Sequence, residues 1–208
     1  MTTMILVRHG QTEWNRVERF RGRADVPLND TGMKQAELTG KRIASAWNPV
    51  AVYSSPLSRA VKTAQAAATY FDLPVQVHSS LADIDYGKWQ GLTPEQVRQE
   101  WPEALAAWYE RPDQAAIPDG ESLAQLRHRA MAMVNDLVER HAGETIVIVG
   151  HTVINRMILL GILGLGNDRF WHLRQEPCAI NVIEAVDGNY VLASMNDTCH
   201  LQGKSYAG

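Results

Sequence analysis

Long hydrophobic runs are missing from this chain. No uninterrupted apolar stretch among its 208 residues approaches the ~18 that a membrane span requires, and its first residues lack the basic and apolar regions of a signal peptide. A cytoplasmic location is the expectation. Cysteine is scarce: Cys178 and Cys199 are the only two. Without zinc-type spacing, and in a chain too large to need a disulfide scaffold, they are expected to be reduced thiols. Neither sign of charge dominates. Lys and Arg total 20 against 23 Asp and Glu, a net charge of −3, so there is no whole-protein basic field and sequence-independent nucleic-acid binding is not expected. A positive site must then be local, and Arg8, Arg16, Arg19, Arg21 and Arg23 face only Glu13 and Glu18. Internal repeats, low-complexity tracts and linkers are also lacking. With 45% hydrophobic residues the chain is long enough for one globular domain with a full core, expected over 1–208.

What is present is an alternation of strand and helix patterns. The apolar run Met4 to Val7 predicts a strand, and Met33, Ala36, Ile43 and Trp47 give a helical stripe with Asn29 or Thr31 as N-cap. A strand over Val50 to Tyr53 follows. Ser55-Pro56 then predicts a helix start, serine as cap and proline at the first helical position, with an alanine-rich stretch to Phe71. Pro74 to Val77 is a third strand. The less regular stretch from Asp83 to Asp119 holds Trp89, Trp101 and Trp108 and is expected to form two short helices that roof a site. Ser122 and Gln125 make a capping box for the next helix. Thr145 to Val149 is a strand feeding a helix, Val153 to Leu163, apolar nearly all round and so expected to be buried. Two strands, Ala179 to Ala185 and Tyr190 to Met195, flank Asp187-Gly188-Asn189. The pattern predicts a three-layer α/β architecture, a mostly parallel sheet with helices on both faces.

In such a sheet, sites form where strands end at their carboxyl edge. Arg8-His9-Gly10 leaves the first strand, Ser54 to Arg59 the second, and Gly150-His151-Thr152 a later one. A lone histidine after a strand is more often structural than catalytic. Two histidines, two arginines and a helix start on one edge instead make a pocket for a dianion, and phosphate suits the planar guanidinium fork. His78, His128, His141 and His172 lack this setting and are expected at or near the surface; His200 is not placed by the sequence.

The motifs in order are Leu6-Val7-Arg8-His9-Gly10-Gln11-Thr12-Glu13-Trp14-Asn15, Phe20-Arg21-Gly22, Tyr53-Ser54-Ser55-Pro56-Leu57-Ser58-Arg59-Ala60, Gly87-Lys88-Trp89-Gln90-Gly91, Gly120-Glu121-Ser122 and Val149-Gly150-His151-Thr152. Together they resemble the histidine phosphatase superfamily, the phosphoglycerate mutase-like proteins, over nearly the whole chain. The resemblance implies a metal-independent phosphomonoester hydrolase with no cofactor. His9 would become a phosphohistidine; Arg8, Arg59, His151 and the amide of Asn15 would hold the phosphoryl oxygens. Gln11, Arg21, Gly22, Tyr86 and Thr152 are the further substrate-binding candidates, and a homodimer is left open as the assembly. The implied partner is a small phosphorylated metabolite such as phosphoserine or alpha-ribazole phosphate, or a broad range of them.

One departure concerns the acid. The family usually has glutamate where this chain has Asp83, one methylene shorter, and Asp85 is an alternative donor two residues on. Asp83 is preferred because it occupies the family position. Ile84 stands where the mutases carry arginine, and Leu92-Thr93-Pro94-Glu95-Gln96 is not basic, so hydrolysis is favoured over a cofactor-dependent phosphoglycerate mutase. Tyr86 stands where the phosphoserine enzymes are expected to offer a histidine. A catalytically weak phosphoester-binding protein is a further alternative, suggested by Asp83. A metallohydrolase is disfavoured because no ligand spacing of the His-Glu-x-x-His type is present.

Overall fold

The computed structural model describes residues 1–202; positions 203–208 of the expected domain lie outside them. The strands are β1 (Thr2–Arg8), β2 (Ala51–Ser54), β3 (Val75–Val77), β4 (Thr145–Gly150), β5 (Ile180–Val186) and β6 (Asn189–Asp197). They form one sheet in the order β3-β2-β4-β1-β5-β6. The first four in that order run parallel, β5 pairs antiparallel with β1, and β6 pairs antiparallel with β5. The expected mostly parallel sheet is therefore present.

Side-chain alternation along β1 assigns the layers. Ile5 and Val7 point to one face and pack with Val52, Val147, Val149, Ile43 of α2 (Asp30–Ala46) and the alanines of α3 (Ser58–Ala68). Met4 and Leu6 point to the other, where they join a larger core. That core includes Leu126, Met133 and Leu137 of one long helix, Leu123–Arg140, and Ile154, Met157 and Ile158 of another, Thr152–Ile162. Trp89 and Trp108 of the middle segment are buried in the same core. No helix among the described residues is long and apolar enough to cross a membrane.

In chain order the helices are α1 (Glu13–Arg16), α2, α3, α4 (Pro94–Glu100), α5 (Pro102–Glu110), α6 (Leu123–Arg140) and α7 (Thr152–Ile162). The capping expectations have mixed outcomes. Asn29 caps α2 by accepting from Gly32 N, and Ser122 with Gln125 forms the capping box of α6. Met33 is half exposed; the buried face of α2 is Gly32, Ala36, Thr39, Gly40 and Ile43. The Ser55-Pro56 start is corrected. α3 begins at Ser58, and its cap comes from a distant residue, Asp25, whose Oδ1 accepts from Ser58 N (2.8 Å) and Ser58 Oγ (2.7 Å). Ser55 Oγ lies instead against His151 Nε2. The middle segment forms the two short helices α4 and α5, and α7 is nearly buried all round.

Candidate active site

The sheet ladder sets the site. Past the carboxyl ends of β1 and β2 the hydrogen bonding continues, with His9 N donating to Gly150 O (3.0 Å) and Ser55 N to Val149 O (3.1 Å). These bonds hold His9, Ser55 and His151, the residue that opens α7, in adjacent lanes. The imidazoles of His9 and His151 meet edge to face, 5.0 Å between centroids, and both are almost fully buried.

Hydrogen bonds assign the protons. Nδ1 of His9 lies 2.7 Å from Gly10 O. A carbonyl only accepts, so Nδ1 carries the hydrogen and Nε2 keeps its lone pair. Burial, with His151, Arg59 and Arg8 nearby, holds the His9 pKa well below its usual value, so the ring is neutral at neutral pH. His151 has the opposite tautomer. Its Nδ1 accepts from Arg59 Nε (3.3 Å), so Nε2 donates, here to Ser55 Oγ (2.7 Å). Burial and four arginines lower its pKa as well.

Arg59, fully buried near the start of α3, also donates to Ala24 O (2.6 Å) and Gly22 O (2.8 Å). Three of a guanidinium's five N–H groups are thereby used, leaving donors for a ligand. Arg8 reaches Gln175 O, and its Nε is buried without a partner. Burial lowers the Arg8 pKa to about 9 and the Arg59 pKa to about 10, a desolvation cost to which the nearby Arg21 adds in both. A dianion would relieve it.

Asp83 is buried, 4% exposed, and its Oδ1 has no hydrogen-bond partner. Burial raises its pKa, while Arg59, Arg21 and Arg129 pull the other way. Its backbone is clamped from α6. Arg129 donates to Asp83 O (3.1 Å) and Ser80 O (2.7 Å) and is itself held by both carboxylate oxygens of Glu121 (2.7 and 2.9 Å). The Gly120-Glu121-Ser122 motif thus both caps α6 and positions Asp83. Asp85 turns away, accepting from Gly87 N (2.9 Å) and pairing with Arg23 (3.1 Å).

A cavity of about 670 Å³ opens over this floor. Of the sequence candidates, Arg8, Asn15, Arg21, Asp83, Tyr86 and Thr152 line it, while His9, Arg59 and His151 are almost fully buried and are not among the lining residues. Asn15 Oδ1 is taken by Thr12 N and Oγ1, so its amide NH2 is the end left for a ligand. Two candidates do not border the cavity: Gln11 Oε1 accepts from Asn29 Nδ2 (3.0 Å), and Gly22, at φ +47°, turns its carbonyl to Arg59. The arginine cluster divides. Arg19 and Arg21 line the cavity, but Arg16 pairs with Glu13 at the surface and Arg23 with Asp85. His128 and His172 are exposed, and His78 and His141 half-buried. His200 bonds through Nε2 to Thr39 Oγ1 on α2 (3.0 Å), outside the cavity. Among the described residues no three His, Cys, Asp or Glu side chains converge as metal ligands.

The sequence did not single out Arg156, Gln175 or Glu176, which also border the cavity. Arg156 was detectable in principle, since it lies four residues after Thr152 on one helix face.

A model of the histidine phosphatase superfamily, branch 1, matches residues 4–198. The chain belongs to this family. It is 35% identical over 201 residues to phosphoserine phosphatase 1 of Hydrogenobacter thermophilus, covering 97% of this chain and 95% of that one. The structure of YhfR from Bacillus stearothermophilus superposes with a TM-score of 0.92 at 31% identity, covering 97% of this chain and all (100%) of that one. A phosphoserine phosphatase variant from Entamoeba histolytica, solved with phosphoserine, gives 0.88 at 29%, with the same coverage of 97% and 100%.

Proposed function

We propose that this chain is a metal-independent phosphatase that hydrolyses a small phosphomonoester through a phosphohistidine on His9. One observation carries the reading: His9 is a buried neutral imidazole with its Nδ1 hydrogen spent on Gly10 O, so Nε2 presents a lone pair beside Arg8, Arg59 and His151. Nε2 attacks phosphorus in line. The N–P bond forms as the ester P–O bond breaks, and Asp83 in its protonated form gives its proton to the leaving alkoxide. Arg8, the free N–H groups of Arg59 and the Asn15 amide stabilise charge on the equatorial oxygens, and His151 Nε2–H joins them by exchanging its bond to Ser55 Oγ for one to the ligand. The Asp83 carboxylate then takes a proton from water, whose oxygen attacks phosphorus. The N–P bond breaks, phosphate leaves and His9 is restored.

The raised pKa of Asp83 suits a group that must start protonated. Among the candidate substrates are phosphoserine, which appears in the names of the Hydrogenobacter and Entamoeba relatives, alpha-ribazole phosphate and a broader set. The segment 83–119, which supplies Asp83, Tyr86, Pro94, Trp108 and Tyr109 to the cavity wall, is proposed as a lid-like insertion. The proposed setting is the cytoplasm and the proposed assembly a homodimer, which light scattering would test. The mechanism is tested by brief incubation with a radioactive phosphomonoester in excess chelator. Acid-labile label on His9, abolished by His9→Ala, is the expected result, and full turnover by His9→Ala would refute it.

A further inference from the structure

The carbonyl that sets the tautomer of His9 belongs to a glycine, in the peptide group that joins Gly10 to Gln11. Close packing requires glycine there, because a Cβ would strike Gly32 O. The same lack of a Cβ leaves the peptide group free to turn over. A trans peptide is planar, so its C=O and N–H point in opposite directions. Turned over, this one would offer Gln11 N–H to His9 Nδ1 in place of Gly10 O. Nδ1 would then accept, and the ring hydrogen would sit on Nε2 and cap the lone pair that attack requires.

The first turns of α2 hold the group the right way round. Gln35 Oε1 accepts from Gln11 N (2.9 Å), drawing the N–H away from the imidazole, while Gly10 O faces His9 Nδ1 at 2.7 Å. Residue 11 is gripped twice more from the start of the helix: Asn29 N donates to Gln11 O (3.1 Å) and Asn29 Nδ2 to Gln11 Oε1 (3.0 Å). On the other side of the turn, Gly10 N donates to Thr63 Oγ1 of α3 (3.1 Å). Of these bonds, the one to Gln35 acts on the N–H of the peptide that faces His9. Gln35 itself is half-buried and does not line the cavity, so its effect on the reaction passes through that peptide.

We propose that Gln35 is a positioning residue for the nucleophile: by accepting Gln11 N–H it fixes the Gly10–Gln11 peptide with its carbonyl toward His9, so that Nε2 is the nitrogen left bare. The effect on rate rests on the phosphatase reading above, whereas the effect on the tautomer does not.

Two variants test it. Gln35→Met keeps the length of the side chain and removes the acceptor; Gln35→Glu keeps an acceptor. NMR of protein carrying heavy nitrogen in its histidine rings reads the tautomer directly, with His9→Asn identifying the His9 signals. In the unmodified protein and in Gln35→Glu, His9 should carry its hydrogen on Nδ1, and in Gln35→Met a second population with the hydrogen on Nε2 should appear. In Gln35→Met, kcat/KM for para-nitrophenyl phosphate, which reports the attack, should fall about 3- to 10-fold, the worth of one neutral hydrogen bond. Inhibition by inorganic phosphate, held by Arg8 and Arg59, should not weaken. Unchanged His9 signals in Gln35→Met overturn the assignment, as does a fall in kcat/KM matched by an equal weakening of phosphate, which would mark a merely structural role. An unmodified protein that releases no phenol from the reporter refutes the phosphatase reading instead, and the spectra then decide the role of Gln35 by themselves.

Discussion

Replacing Asp83 by asparagine separates its chemistry from its structural part. The volume is conserved, and Arg129 grips the backbone carbonyl of residue 83 rather than its carboxyl, so the clamp should persist. What is lost is a proton donor and acceptor, a function that typically contributes about 10²- to 10⁴-fold, or about 3 to 5 kcal/mol of barrier. Turnover of an alkyl phosphomonoester should fall by that factor. An aryl phosphate has a good leaving group, so its first step is largely spared. With no base to activate water, the variant should then show a burst of one phenol per site and accumulate phosphohistidine. Inorganic phosphate should inhibit at least as well, since asparagine leaves the donors Arg8 and Arg59 in place and brings no negative charge to oppose a dianion. Stability supplies the control. The folded pKa of Asp83 is raised, so its contribution is fully present below the unfolded value of about 3.9 and is lost as pH rises through the folded value. Asparagine has no such loss, and the urea midpoint at neutral pH should equal or exceed that of the unmodified protein. Steady turnover within about threefold of the unmodified rate, against the expected factor of at least about 10², would refute the assignment, as would an equal loss from Asp85→Asn.

The remaining predictions concern stability. His9 and His151 have depressed folded pKa values, so their contribution is complete above about pH 6.5 and is lost as pH falls toward those values. The urea midpoint should therefore drop between about pH 7.5 and about pH 5.5, and the double variant His9→Asn/His151→Asn should flatten that dependence. An unchanged slope would mean that the rings are not held neutral. Glu121→Gln removes the ion pair that fixes Arg129 and should cost about 1–3 kcal/mol in denaturant unfolding, with kcat lowered through displaced Asp83. Gly32→Ala places a Cβ against the Gln11 backbone carbonyl. It should cost about 1–3 kcal/mol and reduce turnover by shifting the loop after His9; a neutral result in thermal unfolding would contradict the packing described.

Much of the architecture was legible because it is local. The apolar runs that became β1 and β4, the Asn29 and Ser122 caps and the apolar circumference of α7 each follow from residues a few positions apart. The α3 start was misjudged because its cap, Asp25, is supplied from 33 residues away, and because the Oγ of Ser55 goes to His151. The same distinction runs through the site. His9, His151, Arg8 and Arg59 were identifiable from their places after strands and at a helix start. The bonds from Asn29 Nδ2 to Gln11 Oε1 and from Arg59 to the Gly22 carbonyl join residues far apart in the chain and were not legible.

By itself, then, the amino-acid order determined which strands are buried, where most helices begin and which residues cluster at one sheet edge, since these depend on periodicity and short-range capping. Only the tertiary structure decided which tautomer each imidazole adopts, that Asp83 rather than Asp85 enters the cavity, and that Arg156 packs its guanidinium against Phe170 and Trp171 at the cavity wall. Proton placement and charge compensation depend on burial and on partners far apart in the chain, such as Arg59 with His151 and Arg129 with Asp83. No local pattern encodes those distances.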